Sequence, residues 1–348
     1  MNPAASQATL ARYHQQGRRH VLLVGLLVLA AFLALVLDLV TGPAGLPLSE
    51  TLRALAGAEV SRGTQVIVWD VRLPVACMAL MVGAALALAG AEMQTVLENP
   101  LAEPFTLGVS SAAALGAGVA IVLGLTVPGL PPAWGVTANA FLFAMGSLGL
   151  LQLLGRLRAG GPEVLILFGI ALNFTAMALM SLVQFVASAD ALQQLVFWTM
   201  GSLASAQWPG VALIALVLVC AIPFSFGAAW KLTALRLGED QARSFGVDVT
   251  GLRRWTLLRV SLLSAAAVSM VGVIGFVGLA GPHIARMLVG ENHRVFLPAS
   301  LLTGALVMSL ASTLSKSLVA GVLLPVGLVT SLIGLPIFFA LILRGRRR

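Results

Sequence analysis

The sequence predicts an all-α polytopic membrane protein of about ten transmembrane helices, and three observations carry that prediction. Of 348 residues, 59% are apolar and only 10% are charged, with a mean hydropathy of +1.00. Soluble domains carry about 25% charged residues, so this chain cannot cover itself with a surface that water tolerates. Its apolar residues also gather into runs of roughly 20, the length a helix needs to cross the hydrocarbon of a bilayer. Finally, long apolar runs twice enter Gly/Pro-rich turns that carry a few polar residues, once between Arg72 and Pro104 and again between Gly272 and Pro298. That pattern belongs to a protein that moves a substrate through a membrane.

Taken in order, the segments are expected at 20–40, 65–97, 106–126, 134–155, 164–187, 209–229, 255–275, 280–290, 296–318 and 327–344. The first follows Arg18-Arg19-His20 and runs from Val21 to Val40. A signal peptide has an apolar core of about 7–15 residues and a small-residue cleavage site; this core is longer, and Asp38 and Gly42 suggest no such site. It is expected to remain as a helix. The second segment ends in the turn Asn99-Pro100-Leu101-Ala102-Glu103-Pro104, where the prolines stiffen the chain and Asn99 can bond its own backbone. The fifth carries Asn173, Thr175 and Gln184 among apolar residues. Asn173, Met177, Met180 and Gln184 recur at helical spacing and share one face. The eighth is too short, covering about 16 Å at 1.5 Å per residue, while fusing it with the seventh would give about 54 Å. A break at Gly275, Gly278, Gly281 and Pro282 is therefore expected, in a place where protein or a water-filled cavity must cover the backbone.

Charge orients the chain. With the N-terminus inside, Arg12, Arg18, Arg19, Arg156, Arg158, Lys231, Arg236, Arg243, Arg253, Arg254, Arg294, Arg344 and Arg346 to Arg348 fall on the cytoplasmic side. Only Arg53, Arg62, Arg72 and Lys316 face the other way, with Arg259 and Arg286 left inside spans. The positive-inside rule then places both termini in the cytoplasm, and it accounts for the net charge of +8 without nucleic acid. The two similar blocks suggest an inverted five-plus-five repeat, a common transporter design. One transmembrane domain, 1–348, is expected: a first helix at 20–40, repeat cores at 65–187 and 255–345, and a cytoplasmic loop at 230–255. Cys77 and Cys220 lie in apolar runs and read as packing residues. With four scattered histidines, no metal site and no cofactor is expected. His283 reads as the cap of a broken helix.

In these residues the chain resembles the permease subunits of type II ABC importers, the FecCD family. The matching stretches are Arg72-Leu73-Pro74, GAALALAG (83–90), ENPLAEPFTLGVSSAAALGA (98–117), WTMGSL (198–203), LRLGEDQARSFGV (235–247), GFVGLAGPHIARMLVGENHRVFLPAS (275–300) and LPVGLVTSLIGLPIFF (324–339). The resemblance implies a multi-pass protein of the bacterial inner membrane. Its partners would be two cytoplasmic ABC ATPase subunits, a second permease copy or sister permease, and an extracytoplasmic substrate-binding protein. The residues agree on the ATPase, because a Walker A loop needs Gly-Lys-Ser/Thr and the chain's lysines, Lys231 and Lys316, follow Trp230 and Ser315. Hydrolysis of ATP, and enzyme activity generally, is not expected of this chain.

The same resemblance assigns roles. Leu237, Gly238, Glu239, Asp240, Ala242, Arg243, Phe245 and Gly246 form the ATPase-coupling loop, read as a short surface helix. Glu239 and Asp240 suit its N-terminal end, Glu239 and Arg243 stand i,i+4, and Ala242 and Phe245 are expected to seat on the ATPase. By resemblance Asn99, Pro100 and Leu101 form a gate, the alternative being a helix-capping turn; read from the residues themselves, Gly160 and Gly161 leave room for a hinge, and Asn173, Met177, Met180 and Gln184 line a pathway or else bond helix to helix. Arg72 and Lys316 are expected to dock the binding protein, the alternative for Arg72 being a structural role, and a weaker contact at Lys316 would shift docking to Arg53 or Arg62. Val75, Ser312 and Leu323 stand where relatives carry Arg, Asp and Glu, so an outer charged network is expected to be missing. The expected cargo is an iron-siderophore, with haem or cobalamin as alternatives; no basic pathway favours an oxyanion such as molybdate. A proton- or sodium-driven carrier would need a mid-span carboxylate, and only Asp38 and Glu92 approach one. A lipid-processing enzyme would need a His, Asp or Ser dyad, and none is evident.

Overall fold

The structure, a computed structural model, describes residues 3–43, 45–157, 161–319 and 321–345. Its elements are α1 (Pro3–Val40), α2 (Leu48–Leu55), α3 (Arg62–Val66), α4 (Leu73–Val96), α5 (Val109–Leu123), α6 (Gly135–Leu157), α7 (Pro162–Phe185), α8 (Ala189–Thr199), α9 (Trp208–Leu235), α10 (Glu239–Ser244), α11 (Val249–Val271), α12 (Val277–Val289), α13 (His293–Ser317) and α14 (Val326–Gly345). Seven stretches among the described residues are long and apolar enough to cross a membrane, and α5, α12 and the first part of α14 are shorter apolar helices. Together they account for the ten expected segments. Apolar side chains such as Leu22, Phe32, Leu167, Phe174, Leu216 and Phe224 stand exposed along the outer helices. A water-soluble monomer does not carry apolar surface on that scale.

The core is built around α4, which is buried almost throughout. Between helices in lipid the hydrophobic effect is weak, and close approach of small residues supplies the packing. The GAALALAG stretch does this. Gly83 lies against the backbone of Gly304 in α13, Gly90 against the carbonyl of Gly278 in α12, and Ala87 against Gly281 and Gly304. A Cβ at Gly90 would overlap the Gly278 carbonyl oxygen.

The break between the seventh and eighth segments comes earlier than expected. α11 stops at Val271, Gly272 takes φ 76°, and Gly278, Gly281 and Pro282 lie inside α12. Gly272 packs on the carbonyl of Trp198, so both its backbone angle and its neighbour require glycine. Proline inside a helix removes one i→i−4 hydrogen bond. The acceptor freed by Pro282 is the Gly278 carbonyl, and Gln94 Nε2 donates to it at 3.4 Å. Thr303 Oγ1 donates to the Gly281 carbonyl at 2.8 Å. Gly275 lies in the break as expected, whereas Gly278 and Gly281 serve the packing of α12, whose polar backbone is satisfied from α4 and α13.

Two further features were not expected. A π-helical turn, Ile67–Arg72, fuses α3 to α4, making one rod over Arg62–Val96. Helix α8 ends on Trp198 and Thr199 of the WTMGSL motif, and Ser188 caps its start by accepting from the Ala191 N–H at 3.3 Å.

Candidate functional site

Helix α10 forms as the loop residues dictate. Gly238 precedes it at φ 111°, Glu239 and Asp240 fill its first turn, and Gly246 follows at φ 81°. Glu239 and Arg243 make the i,i+4 pair at 3.3 Å. Leu237 and Phe245 project outward, at 60% and 56% exposure. Ala242 does not share that surface. It is fully buried against the protein's own core, because one face of so short a helix must anchor it. Seating of Ala242 on a partner is thereby corrected, and Leu237 and Phe245 form the outward apolar face.

Two other expected regions adjoin α10. A cavity of about 540 Å³ is lined by Gly155, Gly161, Glu239, Arg243, Arg253 and Arg254, among others, so the turn entering α7 faces the α10 helix across open space. Gly160 lies outside the described residues. At the end of α4, Asn99 Oδ1 accepts from the Leu101 N–H at 2.9 Å, the self-bonded turn the sequence suggests. Glu98 before it holds φ 50°, an uncommon angle for a residue with a Cβ. Arg253 of α11 bridges these parts. Its Nε donates to the Val96 carbonyl at 3.0 Å, and its Nη2 lies 2.5 Å from Glu239 and 3.9 Å from Glu98.

Beyond Asn99 the chain turns back into the protein. Glu103 is buried, and its Oε1 accepts from the Phe276 N–H at 3.4 Å. Phe276 is the αL residue at the start of α12, with φ 68°. A carboxylate on a helix N-terminus satisfies free N–H groups and the helix dipole. Gly108, at φ 80°, begins α5 against the backbone of Asn173. Glu103 was not singled out from sequence; its spacing after Asn99 says nothing of a helix start far along the chain. Near this end Arg236 binds Glu291, and Arg286 lies 3.5 Å from the same carboxylate. Partial burial pushes the Glu291 carboxyl up, but the Arg236 and Arg286 guanidinium groups outweigh it and hold the carboxyl below the usual range.

The α7 stripe divides. Met177 and Gln184 are exposed, whereas Met180 is buried with Ala114 and Leu195. Asn173 Oδ1 accepts from Ser111 Oγ at 2.6 Å, which ties α7 to α5. Met180 is thus removed from any open passage, because the half-turn it occupies is the one that packs on α5. Cys220 also departs from its expected packing role and faces outward.

At the opposite end, the basic residues expected to dock a partner are enclosed. Arg72 is 5% exposed, and its Nη1 donates to the Leu39 and Val40 carbonyls at 3.0 Å each, capping α1. Lys316 binds Asp38 at 2.8 Å. Ser312 and Thr313 hydroxyls donate to the same carboxylate at 3.0 and 3.3 Å. Docking through Arg72 and Lys316 is corrected on this ground, whereas Arg53 and Arg62 are exposed. The expected lack of an outer charged network is corrected too, since Asp38 of α1 supplies the carboxylate. Val75, Ser312 and Leu323 meet Arg72 and Lys316 around one cavity of about 190 Å³.

The carboxylates that the sequence places nearest mid-span, Asp38 and Glu92, are both paired. Asp38 meets Lys316, and Glu92, fully buried, binds Arg259 at 3.1 Å. A cation carrier needs a carboxylate that can exchange its partner, and these are held in place.

Comparison with known proteins agrees with this arrangement. Residues 26–344 match the FecCD transport family. The chain is 36% identical over 323 residues to the hemin transport system permease protein HmuU of Yersinia pestis, covering 92% of this chain and 97% of that one. It is 36% identical over 344 residues to the vitamin B12 import system permease protein BtuC of Salmonella newport, covering 97% and 99%. A solved structure described as an inward-facing conformation of a metal-chelate type ABC transporter superposes with a TM-score of 0.81, at 32% identity, over 92% of this chain and 98% of that one.

Proposed function

Because the chain belongs to the FecCD transport family, and so is a transmembrane ABC transport permease whose ATPase is a separate chain, we propose that it moves a bulky metal chelate, an iron-siderophore, into the bacterial cytoplasm. Haem and cobalamin are the alternatives of the same class. An exposed apolar face on α10, beside the Asn99 and Gly161 turns, is the observation that carries the reading. One ABC ATPase docks there through Leu237 and Phe245, and a second permease copy or sister permease receives the other ATPase and completes the conduit. A binding protein delivers cargo from outside, with Arg53 and Arg62 as its first contacts. Both termini and α10 lie in the cytoplasm, as the lysine and arginine distribution supports.

ATP binding favours one arrangement of the inner turns and hydrolysis another, which is alternating access written as a shift of population. The Met177 face of α7 suits a large cargo that must pass without sticking, and the cations at the outer cavity, Arg72 and Lys316, are engaged with the α1 carbonyls and Asp38. Co-expression with the partner ATPase tests this. Phe245→Glu is expected to abolish co-purification of the two, while Phe245→Leu preserves it; retention by Phe245→Glu contradicts the assigned face.

A further inference from the structure

We infer that Arg253 is the positioning residue that carries movement of the α10 helix to the Asn99 turn. The inference rests on the reading of α10 as the ATPase contact.

Arg253 sits on α11, which belongs to neither part it joins. Its guanidinium is mostly enclosed, with 14% side-chain exposure. One edge holds Glu239, the first residue of α10, at 2.5 Å. Its Nε holds the Val96 carbonyl at 3.0 Å, one of the carbonyls that a helix leaves unpaired at its C-terminus. Glu98, in the αL conformation directly before Asn99, lies 3.9 Å away. A planar fork makes such contacts in two directions at once and resists bending between them. A lysine reaches one partner and lacks the fork. Glu239 is the branching point, since Arg243 on the outer side of α10 shares it at 3.3 Å. Displacement of α10 therefore pulls on Glu239, and through Arg253 on the end of α4. Arg254 next door provides the contrast: it stacks over Trp255 at 5.7 Å, with no bond to α10 or the Asn99 turn among the described residues.

The test uses the full transporter, permease with partner ATPase, in lipid vesicles. Cys77 and Cys220 are replaced by serine, and a bimane fluorophore is placed on Leu101→Cys to report the turn. The signal is the fluorescence change on adding ATP with vanadate. Arg253→Ala is expected to reduce that change about tenfold, within the 5–150-fold range typical of coupled sites, with Arg253→Lys intermediate. Arg254→Ala is expected to leave it within about twofold. An Arg253→Ala response above half of the unsubstituted one overturns the inference. Should Arg253→Ala fail to fold, Arg253→Lys and Glu239→Gln decide by the same criterion. If the unsubstituted protein gives no nucleotide response, the assignment of α10 falls, and the inference with it.

Discussion

Asp38 and Lys316 show what single residues contribute. Breaking one partner of a buried ion pair leaves a charge with nothing to offset its lost hydration, at a cost of about 3–5 kcal/mol, whereas replacing both with apolar groups is often nearly neutral. Asp38→Ala is thus expected to destabilise the protein by about that much, and the pair Asp38→Leu with Lys316→Met to recover most of it. Thermal unfolding in detergent micelles measures both. This network was misread from sequence for a physical reason. Asp38 and Lys316 are 278 positions apart, and a basic residue at a helix end looks exposed until its partner is known. The local pair Glu239–Arg243 had no such difficulty, because helical spacing alone brings i and i+4 together.

Elements were legible wherever hydropathy or helical period decides them. The ten apolar segments appear as helices, and the α10 helix forms where its charges and flanking glycines imply. What failed was the role of glycine. Gly278 and Gly281 look like helix breakers in a linear reading, yet they are contact points for Gly90, Ala87 and Gly304, which only the fold brings together. Gly90→Ala is expected to cost about 1–3 kcal/mol, the usual penalty of overpacking. Gly227→Ala, in α9 with open space around it, is expected to be neutral or to gain about 0.5–1 kcal/mol from helix propensity. Comparing their melting temperatures separates packing from propensity. The π-helical turn before α4 and the short helix α8 left no periodic signal long enough to read.

For the whole molecule, α5 and α12 hold the third and eighth places in the order of ten spans, both are short, and both start from an αL residue. An inverted repeat requires such a match, and we propose that the two halves are related in this way. The α10 end gathers the Asn99 and Gly161 turns, and the opposite end carries exposed Arg53 and Arg62; with that end proposed to face the binding protein, Arg62→Glu is expected to weaken binding-protein association several-fold in surface plasmon resonance while leaving ATPase co-purification unchanged. The chain is proposed as a conduit driven from outside itself. Uptake of a ferric siderophore, haemin or cyanocobalamin into vesicles reconstituted with permease, binding protein and ATPase tests that claim most directly. Accumulation is expected only with ATP and the ATPase, and is expected to stop with vanadate; accumulation against a gradient by the permease without any ATPase contradicts the account.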